Sequence, residues 1–271
     1  MDFSAIERRG LVLLGCGRMG TAMLTGWLAG GLDPTAVWAI EPKPSAWLAD
    51  LPGVKLNADL PDAPAAVLIA VKPQAMGEAL TAVAKLGGSG TLFLSVAAGV
   101  TIAAYESALG SDAAVVRAMP NTPAAIGKGI SALVGNSRAS EKQMAMAEGL
   151  LSSVGQTVRL EDENQMDAVT AVSGSGPAYV FLLVETLAAA GVEEGLPADL
   201  ASRLARATVA GAGALAETAE ESPSRLRENV TSPQGTTAAA LEVLMDDEAG
   251  LPALLRRAVK AAADRSRELS G

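Results

Sequence analysis

The chain has no histidine and a single cysteine among its 271 residues. The absence of histidine excludes Ser-His-Asp and Cys-His catalytic groups, imidazole acid–base chemistry and histidine-ligated metals. The one cysteine, Cys16, cannot form a disulfide within the chain and cannot supply a cysteine-rich zinc site. We therefore predict no metal site, and we expect any catalysis to depend on a cofactor, hydroxyl groups, carboxylates, Lys, Arg or backbone groups.

Positive charge is also scarce, because 21 Lys and Arg residues stand against 30 Asp and Glu residues and the formal net charge is −9. Nucleic acids and anionic membrane surfaces are therefore not expected partners. Residues 1–9 are too charged for a signal peptide. The longest apolar tract, residues 177–191, contains Glu185 and is expected to be too short to span a bilayer. These features predict a cytoplasmic protein.

Strand-like and helix-like segments alternate through the first 160 residues, and the strands are continuous apolar runs. This pattern predicts an α/β domain with a parallel sheet that is buried on both faces. After residue 160 only helical patterns remain, rich in small residues. The predicted fold class is therefore an N-terminal Rossmann-type parallel-sheet domain, residues 1–160, followed by an all-α C-terminal dimerisation domain, residues 161–271. A compact monomeric bundle is the alternative for the second domain.

A glycine-rich turn follows the apolar run of residues 11–14 and opens a helix-like stretch, residues 21–28. In a dinucleotide-binding turn, Gly15 allows the tight bend, Gly17 lets the backbone approach a pyrophosphate, and Gly20 lets helix and strand pack closely. The N–H groups at the helix start then hold the phosphates. The turn residues predicted to bind the dinucleotide are Gly15, Gly17, Arg18, Met19 and Gly20.

An acid and a lysine follow the second predicted strand and indicate opposite cofactors. Glu41 lies 21 residues after Gly20, where an acid accepts hydrogen bonds from the adenosine ribose and repels a 2′-phosphate. Lys43, two residues later, is able to receive that phosphate. The residues alone therefore predict NADPH or NADH without deciding between them, and Glu41 as an ordinary solvated acid is the alternative.

Three further loops follow predicted strands, and ligands of open parallel sheets bind at that edge. Lys72 is a candidate active-site cation, with a turn stiffened by Pro73 as the alternative. The loop with Pro120 and Pro123 is predicted to form a rigid wall beside the nicotinamide, although proline loops are often only turns. The residues predicted to line the cofactor here are Val71, Lys72, Pro73, Ala97, Met119, Pro120 and Asn121.

A late segment, residues 231–237, opens a predicted helix. We interpret Ser232 as its N-cap and Pro233 as its first residue. The N–H groups of Gln234, Gly235 and Thr236 are then expected to converge on one point and hold a carboxylate. An ordinary capped helix without a ligand is the alternative.

Five segments occur in an order that resembles the pyrroline-5-carboxylate reductase family over nearly the whole chain. They are the glycine turn with Met19, V-K-P-Q at 71–74, R-A-M-P-N-T-P at 117–123, S-G-S-G-P-A-Y at 173–179, and N-V-T-S-P-Q-G-T-T at 229–237. The resemblance implies an enzyme that reduces 1-pyrroline-5-carboxylate to L-proline with NADPH or NADH. It also implies that two helical domains interlock into a homodimer, which is able to assemble further.

The resemblance assigns roles to residues whose position matches the family's pattern. It places Lys72, Pro120 and Asn121 near the nicotinamide, and Thr237 beside the imine nitrogen as the predicted catalytic residue. The family often has a small or basic residue where this chain has Glu41. The residues predicted to bind the substrate are Thr231, Ser232, Gln234, Gly235, Thr236 and Thr237.

Other functions compete with this interpretation. A related NAD(P)-dependent hydroxyacid dehydrogenase of the 3-hydroxyacid kind uses a lysine on a long interdomain helix, and residues 161–190 contain no lysine. A related imine reductase shares the same fold and cofactor. A non-catalytic dinucleotide-binding regulator is favoured if the substrate segment is absent, but Ser232 and Thr237 are both present.

Overall fold

A computed structural model of the chain describes residues 2–270, apart from the side chains of Pro73 and Ser270. The chain divides into two compact units. The first unit runs to Gly174 and includes the chain end from Ala263, and the second is Ser175–Ala262. The change of sequence pattern at residue 161 precedes the division at Gly174, so the functional boundary at residue 161 stays a prediction.

The described residues of the first unit form a single eight-stranded sheet, in the order β3-β2-β1-β4-β5-β6-β7-β8. The strands are β1 (Leu11–Leu14), β2 (Val37–Ile40), β3 (Lys55–Leu56), β4 (Ala66–Ile69), β5 (Leu92–Ser95), β6 (Ala114–Met119), β7 (Gly129–Gly135) and β8 (Gly155–Arg159). Strands β1 to β6 are parallel, which confirms the predicted α/β fold. Their carboxyl ends therefore lie along one edge of the sheet.

Strand β7 pairs antiparallel with β6, whereas β8 pairs parallel with β7. The connection from β6 to β7 contains only the 3-10 helix Thr122–Ile126. A parallel pairing would need a crossover of a dozen or more residues, usually with a helix. The short connection therefore reverses the chain direction, and β7 and β8 extend the sheet beyond the Rossmann strands.

Helices accompany the sheet in the first unit and form the described part of the second. The helices are α1 (Ser4–Arg9), α2 (Arg18–Ala29), α3 (Ala46–Ala49), α4 (Met76–Val83), α5 (Ile102–Leu109), α6 (Glu141–Ser152), α7 (Met166–Val169), α8 (Gly176–Glu193), α9 (Ala198–Thr218), α10 (Pro223–Asn229), α11 (Thr236–Leu244) and α12 (Leu251–Ser270). Helix α12 begins in the second unit and ends in the first.

Both faces of the central strands β1, β4 and β5 are buried. Leu11 and Leu13 pack into one apolar cluster, whereas Val12 and Leu14 pack into another, because successive strand side chains point to opposite faces. Trp27 of α2 belongs to the first cluster, and its indole N–H donates to the carbonyl of Leu150 at 2.8 Å. The continuous apolar strands of the sequence are thus explained by helices on both sides.

The helical stretch after β8 is not one continuous α-helix. A π-helical turn, Thr170–Gly174, separates α7 from α8, and Pro177 lies in the first turn of α8. A proline there has no N–H to lose from the helix ladder. The stretch therefore consists of two helices, α7 and α8, joined by a π turn.

Helix α8 exposes an apolar surface. None of its residues is buried, and Phe181 is 66% exposed. Among the described residues, Glu163–Glu193 is the one helical stretch long and apolar enough, by length and composition, to cross a membrane. The expectation that this region is too short needs correction, because it counted residues 177–191 and not the whole helical stretch.

Candidate active site

The glycine turn joins β1 to the N-terminus of α2 at the carboxyl edge of the sheet. Gly15 has φ +84°, where a side chain would be strained, and a Cβ there would lie 2.9 Å from the carbonyl oxygen of Ala70. A Cβ on Gly20 would collide with the carbonyl oxygen of Gly15. These two glycines allow the turn and the close approach of α2 to β1.

Gly17 differs, because a Cβ there would meet no atom within 4 Å. It is the N-cap of α2, so the N–H groups of Arg18, Met19 and Gly20 have no acceptor in a preceding helical turn. An exposed glycine beside three such donors is the cradle that a pyrophosphate needs. These residues fit a dinucleotide, as the sequence predicts.

The carboxylate of Glu41 reaches the glycine turn. Its Oε2 accepts from the backbone N–H of Cys16 at 2.9 Å, and its Oε1 accepts from the N–H of Lys43 at 3.1 Å. The acid thus lies between the end of β2 and the turn after β1, not free in solvent as the alternative interpretation had it. Lys43 is close to Glu41 through its backbone, while its side chain is exposed.

Asn57 fixes the backbone of Glu41, and sequence reasoning missed it. Its Oδ1 accepts from the Glu41 N–H at 2.9 Å, and its Nδ2 donates to the Glu41 carbonyl at 3.0 Å. Asn57 follows β3 with φ +51°, a left-handed conformation that asparagine tolerates better than most residues. A local sequence pattern cannot show a pair that depends on β2 and β3 being neighbours.

Cys16 lies in the turn and is 6% exposed. Burial raises the pKa of its thiol, the hydrogen bond with Thr21 opposes this, and the Glu41 carboxylate raises it further. Desolvation is the largest of these causes, so the thiol holds its proton more tightly than a free cysteine does.

The loops after β4 and β5 lie at the same sheet edge. Val71 contacts the turn, since its Cγ1 would be 3.0 Å from a Cβ on Gly15, and Lys72 is exposed. Ala97 is buried, and its N–H donates to the hydroxyl of Ser95 at 3.2 Å. The side chain of Pro73 lies outside the described part of the structure.

Met119 is the last residue of β6, and Pro120 and Asn121 begin the loop that follows it. The Oδ1 of Asn121 accepts from the N–H of Ile130 at 3.0 Å, so this oxygen braces the loop against β7. The amide nitrogen is then the part of this side chain that can serve a ligand. Gly174 of the π turn lies against Met119, because a Cβ there would be 2.6 Å from the Met119 methyl carbon.

A buried ion pair links strand β6 to two other segments of the first unit. Arg117 of β6 is 4% exposed and pairs with Glu163 at 2.6 Å. The same Glu163 oxygen also accepts from the N–H of Ile102 at the start of α5, at 2.9 Å. The hydroxyls of Ser95 and Tyr105 lie 2.5 Å apart, and burial raises the pKa of Tyr105. The signal in the sequence was a charged residue inside an apolar strand.

The predicted substrate segment forms the start of α11, but not as expected. Gly235 is the N-cap, and Ser232 is not. The N–H of Gly235 donates to the carbonyl of Ser232 at 3.1 Å, and Gln234 has φ +60°. Pro233 therefore occupies the second position of a tight turn, where its fixed φ is equally suitable. The donors that converge at the helix start belong to Thr236, Thr237 and Ala238.

Thr231 ends the preceding segment. Its N–H donates to the carbonyl of Glu228 at 2.9 Å and its hydroxyl to that of Arg227 at 2.7 Å. The segment from Thr231 to Thr237 is thus a built turn between α10 and α11. All six predicted substrate residues lie in or beside it, although Thr231 and Gly235 use N–H groups within the fold.

Comparison with known proteins adds to this geometry. Residues 163–269 match the family model described as pyrroline-5-carboxylate reductase dimerisation, and residues 10–99 match the model described as NADP oxidoreductase, coenzyme F420-dependent. The chain is 40% identical over 266 residues to the pyrroline-5-carboxylate reductase of Pseudomonas aeruginosa, covering 96% of each chain. The chain belongs to the pyrroline-5-carboxylate reductase family.

Solved structures of pyrroline-5-carboxylate reductases have the same fold. The enzyme from Coxiella burnetii superposes with a TM-score of 0.89 at 32% identity, covering 97% of this chain and 99% of that one. The Plasmodium falciparum enzyme, solved with NADP bound, gives a TM-score of 0.83 at 27% identity, covering 98% of this chain and 99% of that one. The family resemblance and the fold class predicted from the sequence are both confirmed.

Proposed function

We propose that this chain reduces 1-pyrroline-5-carboxylate to L-proline, with the dinucleotide held by the glycine turn and the substrate by the start of α11. The observation that carries the proposal is the glycine turn built at the sheet edge, in a chain 40% identical to a pyrroline-5-carboxylate reductase over 96% of its length. NADPH and NADH are the cofactors that this site accepts. The hydroxyacid dehydrogenase, imine reductase and regulator alternatives are not favoured.

The dinucleotide site extends along one edge of the sheet. Donors at the start of α2 hold the pyrophosphate, and Glu41 faces the adenosine ribose. The loops with Val71, Lys72 and Ala97, and the braced Asn121, line the path of the nicotinamide half. When bound, the reduced nicotinamide supplies a hydride for the C=N carbon of the substrate.

The substrate is a small cyclic imine that carries a carboxylate. The N–H groups of Thr236, Thr237 and Ala238 and the positive end of α11 suit that carboxylate. The hydroxyl of Thr237 donates a hydrogen bond to the imine nitrogen, which makes the C=N carbon a better hydride acceptor. As the hydride adds to the carbon, the nitrogen takes up one proton that comes from solvent, and Thr237 positions or relays that proton.

The homodimer follows from the helical part. Residues 163–269 match the dimerisation region of the family, and α8 exposes the apolar side chains that such an interface covers. We propose that two copies pair through this surface and that the dimer can assemble further. A net charge of −9 disfavours nucleic acids and anionic membranes as partners, and we propose a cytoplasmic location.

The test is an assay of reduced nicotinamide absorbance with pyrroline-5-carboxylate. The native chain should consume NADH or NADPH only when the imine is present. Thr237→Ala should lower kcat/KM by about 10- to 100-fold, the effect of losing one hydrogen bond to a charged or strongly polarised group.

The matched control is Thr81→Ala, which removes another helical threonine hydroxyl, on an exposed face of α4. It should retain native kcat/KM. A native chain that never oxidises reduced nucleotide with the imine would contradict the proposed function. Full activity in Thr237→Ala would contradict only the role of that residue.

A further inference from the structure

We propose that Glu41 makes this enzyme select NADH over NADPH and that Asn57 positions Glu41 for this selection. The proposal rests on the proposed function, because it concerns the dinucleotide that the same site holds. It differs from what the name of the family model for residues 10–99 and the NADP-bound relative would suggest.

The first step of the argument is the location of the charge. The Glu41 carboxylate is 2.9 Å from the Cys16 N–H, inside the turn whose next residues cradle the pyrophosphate. The adenosine ribose of a dinucleotide lies beside that turn, at the end of the second strand. A carboxylate there accepts hydrogen bonds from the 2′- and 3′-hydroxyls of NADH. A 2′-phosphate would bring at least one further negative charge to the same place.

The second step is that hydrogen bonds restrain both the side chain and the backbone of Glu41. Two backbone N–H groups, those of Cys16 and Lys43, bind its two carboxylate oxygens. Both backbone polar groups of Glu41 are bound by the Asn57 side chain. The N–H of Asn57 donates to the carbonyl of Ala39 at 2.8 Å, so the asparagine is itself tied to β2.

The third step concerns the competing cation. Lys43 is the residue that would receive a 2′-phosphate, and its side chain is exposed and free to be solvated. Its backbone N–H donates to Glu41, which keeps the carboxylate between the turn and the lysine segment. Repulsion at short range from a fixed carboxylate outweighs attraction to a solvated ammonium, because screening weakens the latter.

The experiment measures both turnover and binding. Apparent kcat/KM is determined for NADH and NADPH at saturating pyrroline-5-carboxylate, and dissociation constants for both nucleotides are measured by titration calorimetry without substrate. The native chain should prefer NADH by at least about tenfold in both measurements, which is the effect of one short-range charge repulsion. Glu41→Gln should abolish this preference, mainly by tightening NADPH.

Asn57→Gly tests the positioning role, because glycine adopts the left-handed backbone without the two side-chain hydrogen bonds. It should shift the NADH to NADPH ratio in the same direction as Glu41→Gln, by about threefold. The double variant should shift the ratio no further than Glu41→Gln alone, since the asparagine acts through the acid. The control is Glu7→Gln on the exposed face of α1, which should keep the native ratio.

A native chain that binds NADPH as tightly as NADH, or a ratio unchanged in Glu41→Gln, would overturn the proposal. Loss of NADPH use in Lys43→Gln, from a native chain that prefers NADPH, would overturn it as well. Equal weakening of both nucleotides in Asn57→Gly would remove the positioning role. Selective binding of NADH without turnover of the imine would instead contradict the proposed function and support this inference.

Discussion

At the residue scale, Gly17 and Gly20 lie three positions apart and are needed for different reasons. Gly20→Ala should lower the free energy of unfolding by about 1–3 kcal/mol, because the new Cβ collides with the Gly15 carbonyl oxygen. Gly17→Ala should leave stability within about 0.5 kcal/mol, since a Cβ there meets nothing. Thermal unfolding measured by circular dichroism checks both expectations.

Gly17→Ala, which is expected to have little effect on stability, should have a large effect on nucleotide affinity. Gly17→Ala should weaken NADH binding by at least about tenfold, the effect of roughly 1.4 kcal/mol of conflict with the approaching pyrophosphate. Titration calorimetry of the folded variant measures it. Native affinity in Gly17→Ala would show that the pyrophosphate does not approach this glycine.

Cys16 should be slow to react. Its pKa is raised above the ordinary value of 9.0 by burial, so little thiolate is present at neutral pH. Alkylation by iodoacetamide at pH 8 should be at least about tenfold slower than that of free cysteine, and its rate should still rise above pH 9. The folded chain holds this proton more tightly than the unfolded chain, so this group's contribution to stability falls as the pH rises past 9. Rapid alkylation at pH 7 would contradict the raised pKa.

Site residues could be predicted from the sequence where their role depends on nearby positions in the chain. They could not be predicted where the role depends on a contact with a residue that is distant in sequence. Gly15 and Gly17 follow from the spacing within the unit of β1, turn and α2, and Glu41 follows from its place directly after the next strand, β2. Asn57 was not predictable, because its partner Glu41 follows the neighbouring strand β2, 16 residues earlier in the chain. Gln234 was predicted as a substrate residue, but the tight turn at residues 232–235, with the left-handed backbone of Gln234, was not. A proline at this place fits the first turn of a helix and the second position of a tight turn equally well.

At the scale of elements, the ion pair of Arg117 and Glu163 joins β6 to the segment that precedes α7, and Glu163 also binds the start of α5. Glu163→Ala should lower the free energy of unfolding of the first unit by about 3 kcal/mol, because it leaves the Arg117 charge buried and unpaired. All three tryptophans precede residue 50, so urea unfolding followed by tryptophan fluorescence reports on this unit.

The double variant Arg117→Met with Glu163→Ala provides the comparison. It should recover most of the loss, because methionine fills the buried site without a charge. A loss in the double variant as large as the sum of the single losses would show that the two side chains act independently. The need for a partner of Arg117 was visible in an apolar strand, but Glu163 lies 46 residues away, and no local pattern identifies it.

The sequence predicts the succession of strands and helices better than it predicts the direction of each strand in the sheet. Apolar runs separated by helices predict the parallel strands β1, β2, β4, β5 and β6, because each helix allows a right-handed crossover. The two-residue strand β3 was not predicted. The reversal at β7 depends on the length of a loop that contains two prolines and a 3-10 helix. Strand periodicity carries no information on direction, so this part of the topology required the structure.

At the scale of the whole molecule, the apolar surface of α8 predicts association. Phe181 is 66% exposed in the single chain, and we expect the dimer interface to cover it. Phe181→Glu would bury a charge in that interface, so it should shift the chain toward monomer in light scattering coupled to size exclusion. Val158→Glu on the edge strand β8, 45% exposed, is the matched control and should leave the mass unchanged. A native chain that elutes as a monomer at micromolar concentration would contradict the dimer.

The path of α12 has a mechanical consequence. Its last turns return to the first unit, where the hydroxyl of Ser266 donates to Asp167 at 2.6 Å. The second unit is therefore an insertion in the chain of the first unit, and its two ends join the first unit at Gly174 and Ala263. If the two termini were pulled apart in optical tweezers, tension would first load the first unit and the contact between α7 and α12. The helical unit would be spared until that contact ruptures, so the first extension step should be much shorter than complete unravelling.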